Sequence, residues 1–335
     1  MKMIRLLSEK RGYLKTTLTL VIIFLGAGCT CFSIPLMQGE GELDETVVSG
    51  KGRDKIVLID ISGVISSKEE RGGGLSFQRQ SSMVARLREE LQKASQDKKV
   101  KGVILRLNTP GGTVTASDII YQEIKRFKRE RNLPVVACMM ELATSGGYYV
   151  SIAADTIVAH PTSVTGSLGA IAIKFNAQGL MEKIGIEDET ITAGDKKDLF
   201  SPLRPLTEEE RVIIQDMLNE FHQRFISLIA ENRKTLSLEQ VKTLADGRVY
   251  TADQALKNGL VDHIGYLEDA IELMKKKAGL DKAKVVMYHR PYSYKNNIYS
   301  QLSGSDFKNL NLVNLDLSSL VDGAGGLRFM YMWLP

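Results

Sequence analysis

The sequence predicts an α/β fold in which parallel strands alternate with crossover helices. Two kinds of observation carry this prediction: short apolar runs that read as buried strands, and helical periodicities between them. Residues 55–65 (KIVLIDISGVI) open the series as a strand. Val84, Leu87, Leu91 and Ala94 then recur at helical spacing and predict an amphipathic helix. Residues 103–107 read as a buried strand, 116–127 as a helix and 134–139 as a second apolar strand. Further on, 145–154 and 179–184 suit helices, whereas 156–159, 170–173 and 187–192 suit strands. A long helix is expected over 208–232, with Thr207 as N-cap ahead of a Glu-rich first turn. Helices over 238–245, 251–258 and 267–278 complete the set, and no repeat at a fixed period is apparent.

The two ends read differently. Lys2, Arg5, Lys10, Arg11 and Lys15 precede an uncharged run over 16–37, long enough to cross a bilayer as a helix. The basic flank predicts a cytoplasmic N-terminus, with the bulk of the chain outside. Leu25, Gly26, Ala27, Gly28 and Cys29 also look like a bacterial lipoprotein cleavage site. An anchor processed at Cys29 therefore stands beside an uncleaved anchor and a cleaved signal peptide. The expected organisation is an anchor segment over 1–37, a linker over 38–54, an α/β domain over 55–285 and an extension over 286–335. That extension is rich in Asn, Ser and Gly and closes on an apolar, aromatic tail.

Composition narrows the chemistry. A hydrophobic fraction of 43% and a charged fraction of 25% are ordinary for a globular protein. The net charge of +4 comes with no Lys/Arg-rich block beyond the first residues, which argues against a nucleic-acid partner. Cys29, Cys31 and Cys138 offer no framework of bridges, and paired CxxC or HExxH spacing is absent, so no zinc site is expected.

Two glycine-bearing turns can carry acyl-transfer chemistry. Thr144-Ser145-Gly146-Gly147-Tyr148 lies between a strand and a helical stretch. It places a hydroxyl beside unpaired backbone N–H groups, the arrangement a nucleophile with an oxyanion site needs. Taken alone, the same residues read more readily as a serine N-cap with glycine for close packing. Asn108-Thr109-Pro110-Gly111-Gly112 forms a second strand–helix turn whose amides can point outward. A phosphate loop is a poor alternative, because the Lys-Ser/Thr pair that would follow it is missing.

A nucleophilic serine needs a base. The four histidines, His160, His222, His263 and His289, show no catalytic pattern. Lysine is the alternative, and Asp195-Lys196-Lys197-Asp198 follows a Gly194 turn, although most such charge runs are solvated loops. A lysine acts as base only when neutral, which demands burial away from carboxylates.

With these pieces in order, the chain resembles the signal peptide peptidase family in its short, single-repeat bacterial form. The matching stretches are LNTPGGTVTASDIIY, ATSGGYYVSIAADTIVAHP, TGSLGAI, TAGDKKDLFSPLRPLTEEER and DGRVYTADQALKNGLVD, spread over residues 55–280. The resemblance implies a ClpP/crotonase-like fold with repeated β-β-α units, carried beside an N-terminal transmembrane anchor. It implies a serine protease that degrades remnant signal peptides without metal or organic cofactor. Carried over, Ser145 is the nucleophile, Lys197 the general base and Lys196 its exposed neighbour. Gly112 and Gly146 supply the oxyanion-hole amides, and Ser167 orients the lysine. Thr109 and Thr144 stand where the family more often has other small residues. Serine and lysine would come from different repeats, so a homo-oligomeric ring with shared sites is expected.

Three other readings compete. A crotonase-type acyl-CoA enzyme shares the fold, but an extracytoplasmic site and the Ser-Gly-Gly serine argue against it. A membrane scaffold on a decayed protease fold is opposed by Ser145 and Lys197 both being present. A Ser–Lys protease of one specific membrane protein is hardly distinguished by sequence from the first choice.

Overall fold

The computed structural model describes residues 42–68, 70–71, 79–290 and 328–334. The expected anchor over 1–37 and most of the extension lie outside these residues. Among the described residues no helix is long and apolar enough to cross a membrane.

The first half of the chain alternates strand and helix. Strands β1 (Asp44–Gly50) and β2 (Lys55–Ser62) come first, then the short pair β3 (Glu70–Arg71) and β4 (Arg79–Gln80). Helix α1 (Met83–Gln96) leads to β5 (Val100–Thr109), β6 (Gly111–Thr113) and α2 (Val114–Arg131). Strand β7 (Val135–Thr144) runs into the short helix α3 (Gly146–Ser151). Strands β8 (Thr156–Ala159), β9 (Val164–Gly166) and β10 (Ile171–Ile173) follow.

Helices dominate the second half: α4 (Gln178–Ile184), α5 (Glu208–Asn232) and α6 (Leu238–Leu244). Strand β11 (Val249–Thr251), helix α7 (Ala252–Lys257), strand β12 (His263–Ile264) and helix α8 (Leu267–Lys277) come next. Strand β13 (Lys284–His289) and the C-terminal β14 (Arg328–Met332) close the series.

The mixed α/β class holds. The main sheet runs β1-β13-β2-β5-β7-β8-β12, with only β1 and β13 antiparallel along this path; β9 joins β7 in parallel at its C-terminal end, and β11 pairs β9 antiparallel. Both faces are covered, which is why the strands read as continuous apolar runs. Val57, Ile59, Val103, Leu105, Val135 and Ala137 point to the face packed by α1 and α2. Their neighbours Ile56, Leu58, Ile104, Val136 and Cys138 point to the face packed by α8 through Leu267, Ile271 and Met274. Burial pushes the Cys138 thiol up to about 12, so it sits there as a small apolar group.

One ion pair crosses this interior. Arg106 donates to Asp60 from Nε at 2.5 Å and from Nη2 at 2.6 Å, and both residues are nearly sealed from solvent. Removing one partner of a buried pair leaves the other's charge uncompensated. Asp60→Ala is therefore expected to cost about 3–5 kcal/mol of stability, read as a lowered urea midpoint with unchanged slope.

Two expectations change. Residues 44–50, read as linker, form β1 and pair with β13 through a register running from Asp44 opposite His289 to Gly50 opposite Lys284. Within β1 only Val48 is buried, so the alternation was too thin to read as a strand. Residues 187–192, read as a strand, form none; they find no partner strand among the described residues, and Ile191 is 97% exposed.

Candidate active site

Strand β7 ends at Thr144 and α3 begins at Gly146, so Ser145 alone makes the turn between them. Its backbone adopts φ 52° and ψ −110°, a region that costs a non-glycine residue about 1–3 kcal/mol unless its surroundings impose it. The surroundings do so: Ser145 N–H donates to the Gly166 carbonyl at 2.7 Å, and its carbonyl accepts from Tyr149 N–H at 2.9 Å. Helix α3 is itself wholly buried and pinned by Tyr148, whose hydroxyl donates to the Leu260 carbonyl at 2.8 Å. The Ser145 hydroxyl makes no cap hydrogen bond, so the plain N-cap reading is not realised. Its nearest acceptor is the Gly169 carbonyl at 3.5 Å, a weak contact that leaves the oxygen free to react.

The direction of the Gly112 amide follows from strand geometry. Ile65 N–H donates to the Gly111 carbonyl at 2.8 Å, and Thr113 N–H donates to the Ile65 carbonyl at 2.9 Å. The residue between them, Gly112, therefore turns its own N–H to the opposite edge of β6. There the Gly112 nitrogen lies 3.1 Å from where a Cβ on Gly146 would stand. The Gly146 nitrogen lies 2.8 Å from where one on Gly111 would stand. The two turns singled out in the sequence thus meet, the backbone of Gly111 and Gly112 lying against that of Gly146, next to Ser145. No side chain larger than hydrogen fits at Gly112, where a Cβ would be 2.0 Å from the Ile65 carbonyl oxygen.

The C-terminal tail supplies a feature that sequence reading missed. Strand β14 lies between β6 and β10, antiparallel to both, with Tyr331 opposite Gly112 and Met330 opposite Ile171. Trp333 N–H donates to the Pro110 carbonyl at 2.9 Å, so ladder alternation makes Tyr331 and Gly112 a hydrogen-bonded pair. The Tyr331 carbonyl oxygen also lies 3.0 Å from the Cβ position of Gly146. A peptide carbonyl thus stands where β6 meets the Gly146 turn.

The Tyr331 side chain fills a pocket, its ring centroid 5.1 Å from Tyr149 and 4.9 Å from Phe225, its hydroxyl donating to the Phe221 carbonyl at 2.6 Å. Residues 329–333 are apolar on both faces, so no alternation marked them as a strand. An extended peptide cannot enter between β6 and β10 while β14 is there. Deleting residues 327–335 is expected to raise the hydrolysis rate of an added peptide severalfold, measured by fluorogenic assay at equal protein concentration. An unchanged rate would mean that peptides reach Ser145 by another route.

Ser167 sits close to this centre. It is nearly buried, has a left-handed backbone (φ 51°), and lies in the turn whose Gly166 and Gly169 carbonyls face Ser145. Lys197 is not brought to Ser145 within the chain. Its side chain is exposed and, among the described residues, makes no hydrogen bond or ion pair; only its N–H is engaged, by the Gly194 carbonyl at 3.0 Å. The expected roles of the two lysines are reversed in exposure. Lys196 is the half-buried one, paired with Glu209 at 2.6 Å, and that hydrogen bond pushes its pKa up, the wrong direction for a base.

None of the histidines serves instead. His160 bonds Thr162 in its own turn, His289 bonds Thr46, His263 is exposed on β12, and His222 lies within α5. The Thr109 hydroxyl donates to the Gly63 carbonyl at 2.5 Å and accepts from Gly111 N–H at 3.1 Å, so this departure helps to shape the turn. The Thr144 hydroxyl is buried without a partner among the described residues.

Known proteins resemble this chain in sequence. Residues 127–281 match the profile of peptidase family S49. A protein of Enterococcus faecium, provisionally named signal peptide peptidase SppA, is 38% identical over 254 residues, covering 76% of this chain and 72% of its own length. The chloroplastic serine protease SPPA of Arabidopsis thaliana is 34% identical over 258 residues, 76% of this chain and 37% of that one. Among solved structures, a point mutant of ClpP1 from Listeria monocytogenes aligns with a TM-score of 0.41 and 19% identity over 64% of this chain and 94% of its own. The strained serine, the paired glycine amides and the sequence relatives lead to one conclusion: the chain belongs to peptidase family S49 and is a serine protease.

Proposed function

We propose that this protein is a membrane-anchored endopeptidase with a Ser–Lys dyad, that it degrades remnant signal peptides, and that each site is shared between neighbouring copies. The observation that carries the reading is Ser145: a free hydroxyl on a strained turn, beside the amides of Gly112 and Gly146. In the reaction, Lys197 of a neighbouring copy takes the Ser145 proton as the oxygen attacks a peptide carbonyl. Gly112 and Gly146 donate to the oxyanion, and Ser167 orients the lysine. The lysine then protonates the leaving amine, and water hydrolyses the acyl-enzyme.

The shared site is supported by the exposure of Lys197, since a base lysine needs desolvation that its own chain does not give. A second copy would also cover Phe175, Leu180, Ile184, Ile186 and Ile191, all more than half exposed in the segment leading to Lys197. Helix α4, within that segment, buries no residue in the chain. We assign the fold to the ClpP/crotonase type, with β5, β6 and α2 as one of its β-β-α units.

The membrane assignment rests on the uncharged run over 16–37, and the substrate on the name of the Enterococcus relative. Confinement of enzyme and substrate to one membrane fits both. The extracytoplasmic side follows from the basic N-terminal flank.

The test is incubation of the purified full chain in detergent micelles with a synthetic signal peptide, and separately with a short-chain acyl-CoA. Peptide fragments by mass spectrometry and intact acyl-CoA are expected. Thioester hydrolysis with an intact peptide would move the chain to the crotonase chemistry.

A further inference from the structure

The loop that carries Lys197 is held from both sides. On one side, Lys196 pairs with Glu209 in the first turn of α5. On the other, Asp198 takes a forked pair from Arg204, Nε to Oδ2 at 2.6 Å and Nη2 to Oδ1 at 2.9 Å. The same guanidinium forks again onto Glu210, Nη1 to Oε2 at 2.8 Å and Nη2 to Oε1 at 2.6 Å.

Glu210 is a fixed anchor. It is 1% exposed, and its carboxylate also accepts from Thr207 N–H at 2.9 Å in the capping box of α5. The Arg204 hydrogen bonds hold its carboxyl at about 2 and hold that of Asp198 low as well, so both stay ionised at neutral pH. Arg204 is tied to the site-forming sheet too: its carbonyl accepts from Lys174 Nζ at 2.7 Å, and Lys174 directly follows β10. Short turns complete the frame, with Ser201 N–H donating to the Asp198 carbonyl at 2.8 Å.

Both neighbours of Lys197 are therefore drawn onto α5, and Lys197 is the residue left pointing away. We propose that Arg204 is a positioning residue: by bridging Asp198 to the buried Glu210, it fixes the loop that presents Lys197 to Ser145 of the adjoining copy. This rests on the assignment of Lys197 as the base. An arginine suits the task, because one planar fork can hold two carboxylates at fixed angles and a lysine cannot.

The charged groups of the loop and of the elements it is tied to set the sign of the pH effect. They are Asp195, Lys196 and Asp198 on its own loop, Glu209 and Glu210 on α5, Arg204 beyond the loop and Lys174 after β10. Removing the Arg204 charge leaves Asp198 and Glu210 uncompensated, and a loosened loop admits water. Both effects favour a protonated lysine nearby, so the rise of activity with pH moves to higher pH.

The test compares Arg204→Gln, Arg204→Lys, Asp198→Asn and Lys197→Ala in the full chain, with kcat, KM, thermal midpoint and a pH–kcat curve for each. Arg204→Gln should lower kcat about tenfold or more at neutral pH with KM little changed. Its rising limb should move to higher pH, so that much of the rate returns in alkaline solution. Arg204→Lys should keep the limb near its original place and recover part of kcat. A purely structural role would lower the rate by one factor at every pH, together with the folded fraction; that result overturns the proposal.

If Arg204→Gln does not fold, Asp198→Asn decides, because it leaves the Arg204–Glu210 pair and the α5 cap intact. A kcat reduced about tenfold with unchanged KM and thermal midpoint supports positioning; an unchanged kcat overturns it. Activity retained in Lys197→Ala would instead remove the base assignment itself. An inactive Lys197→Ala beside an unaltered Arg204→Gln would remove only the positioning role.

Discussion

Ser145→Ala and Lys197→Ala are each expected to lower peptide hydrolysis by about 10³-fold or more, while Lys196→Ala and His160→Ala keep most of it. In the proposed mechanism Ser145 supplies the attacking oxygen, and nothing nearby substitutes: Ser167 lies in the facing turn, and the Thr144 hydroxyl sits on the preceding residue. Lys196 is spared because its ion pair with Glu209 keeps it protonated, and His160 because it bonds Thr162 in its own turn. Ser145→Gly is equally inactive yet should be the more stable variant, because glycine accepts φ 52° without strain. A rise in the thermal midpoint together with lost activity would identify the turn as strained for function. Retained activity in Lys197→Ala beside an inactive, folded His160→Ala would end the Ser–Lys assignment.

A methyl group at Gly146 is the second large effect. An added Cβ there would stand 2.5 Å from Ser117 Oγ and 3.1 Å from the Gly112 nitrogen, inside the proposed oxyanion site. Loss of one oxyanion donor costs about 10²–10³ in kcat, and Gly146→Ala obstructs the space both donors share. Its instability and its inactivity can be separated. The double variant Gly146→Ala with Ser117→Ala removes the tightest contact and should regain stability, but the methyl still meets the Gly112 amide. Recovered stability without recovered kcat is the expected result; recovery of both would mean that Gly146 is needed only for packing.

The parts of the molecule legible in the sequence were those whose causes are local. The buried strands β2, β5 and β7 are apolar on both faces, and α1 and α5 announce themselves by periodicity and by the Thr207 cap. Ser145, Gly112 and Gly146 were legible as turns, and the resemblance joined them before geometry did. What escaped depends on distant partners. Strand β1 exists because β13 offers it an edge, and β14 because β6 and β10 leave a gap. The role of Arg204 could not be read from sequence either, since its meaning lies in two carboxylates on different elements. Lys197 was singled out by its neighbours in sequence, but a base lysine is defined by what buries it. No described residue of its own chain does so.

In the proposed enzyme the reacting serine and lysine belong to different copies. This is tested by mixing Ser145→Ala and Lys197→Ala chains, each inactive alone, under conditions that allow subunit exchange, with exchange verified by mass spectrometry. Mixed assemblies contain some interfaces where an intact Ser145 faces an intact Lys197. Part of the peptidase activity is expected to return on mixing and to grow with the extent of exchange. Verified exchange with no return of activity would place the dyad within one chain and contradict the shared site.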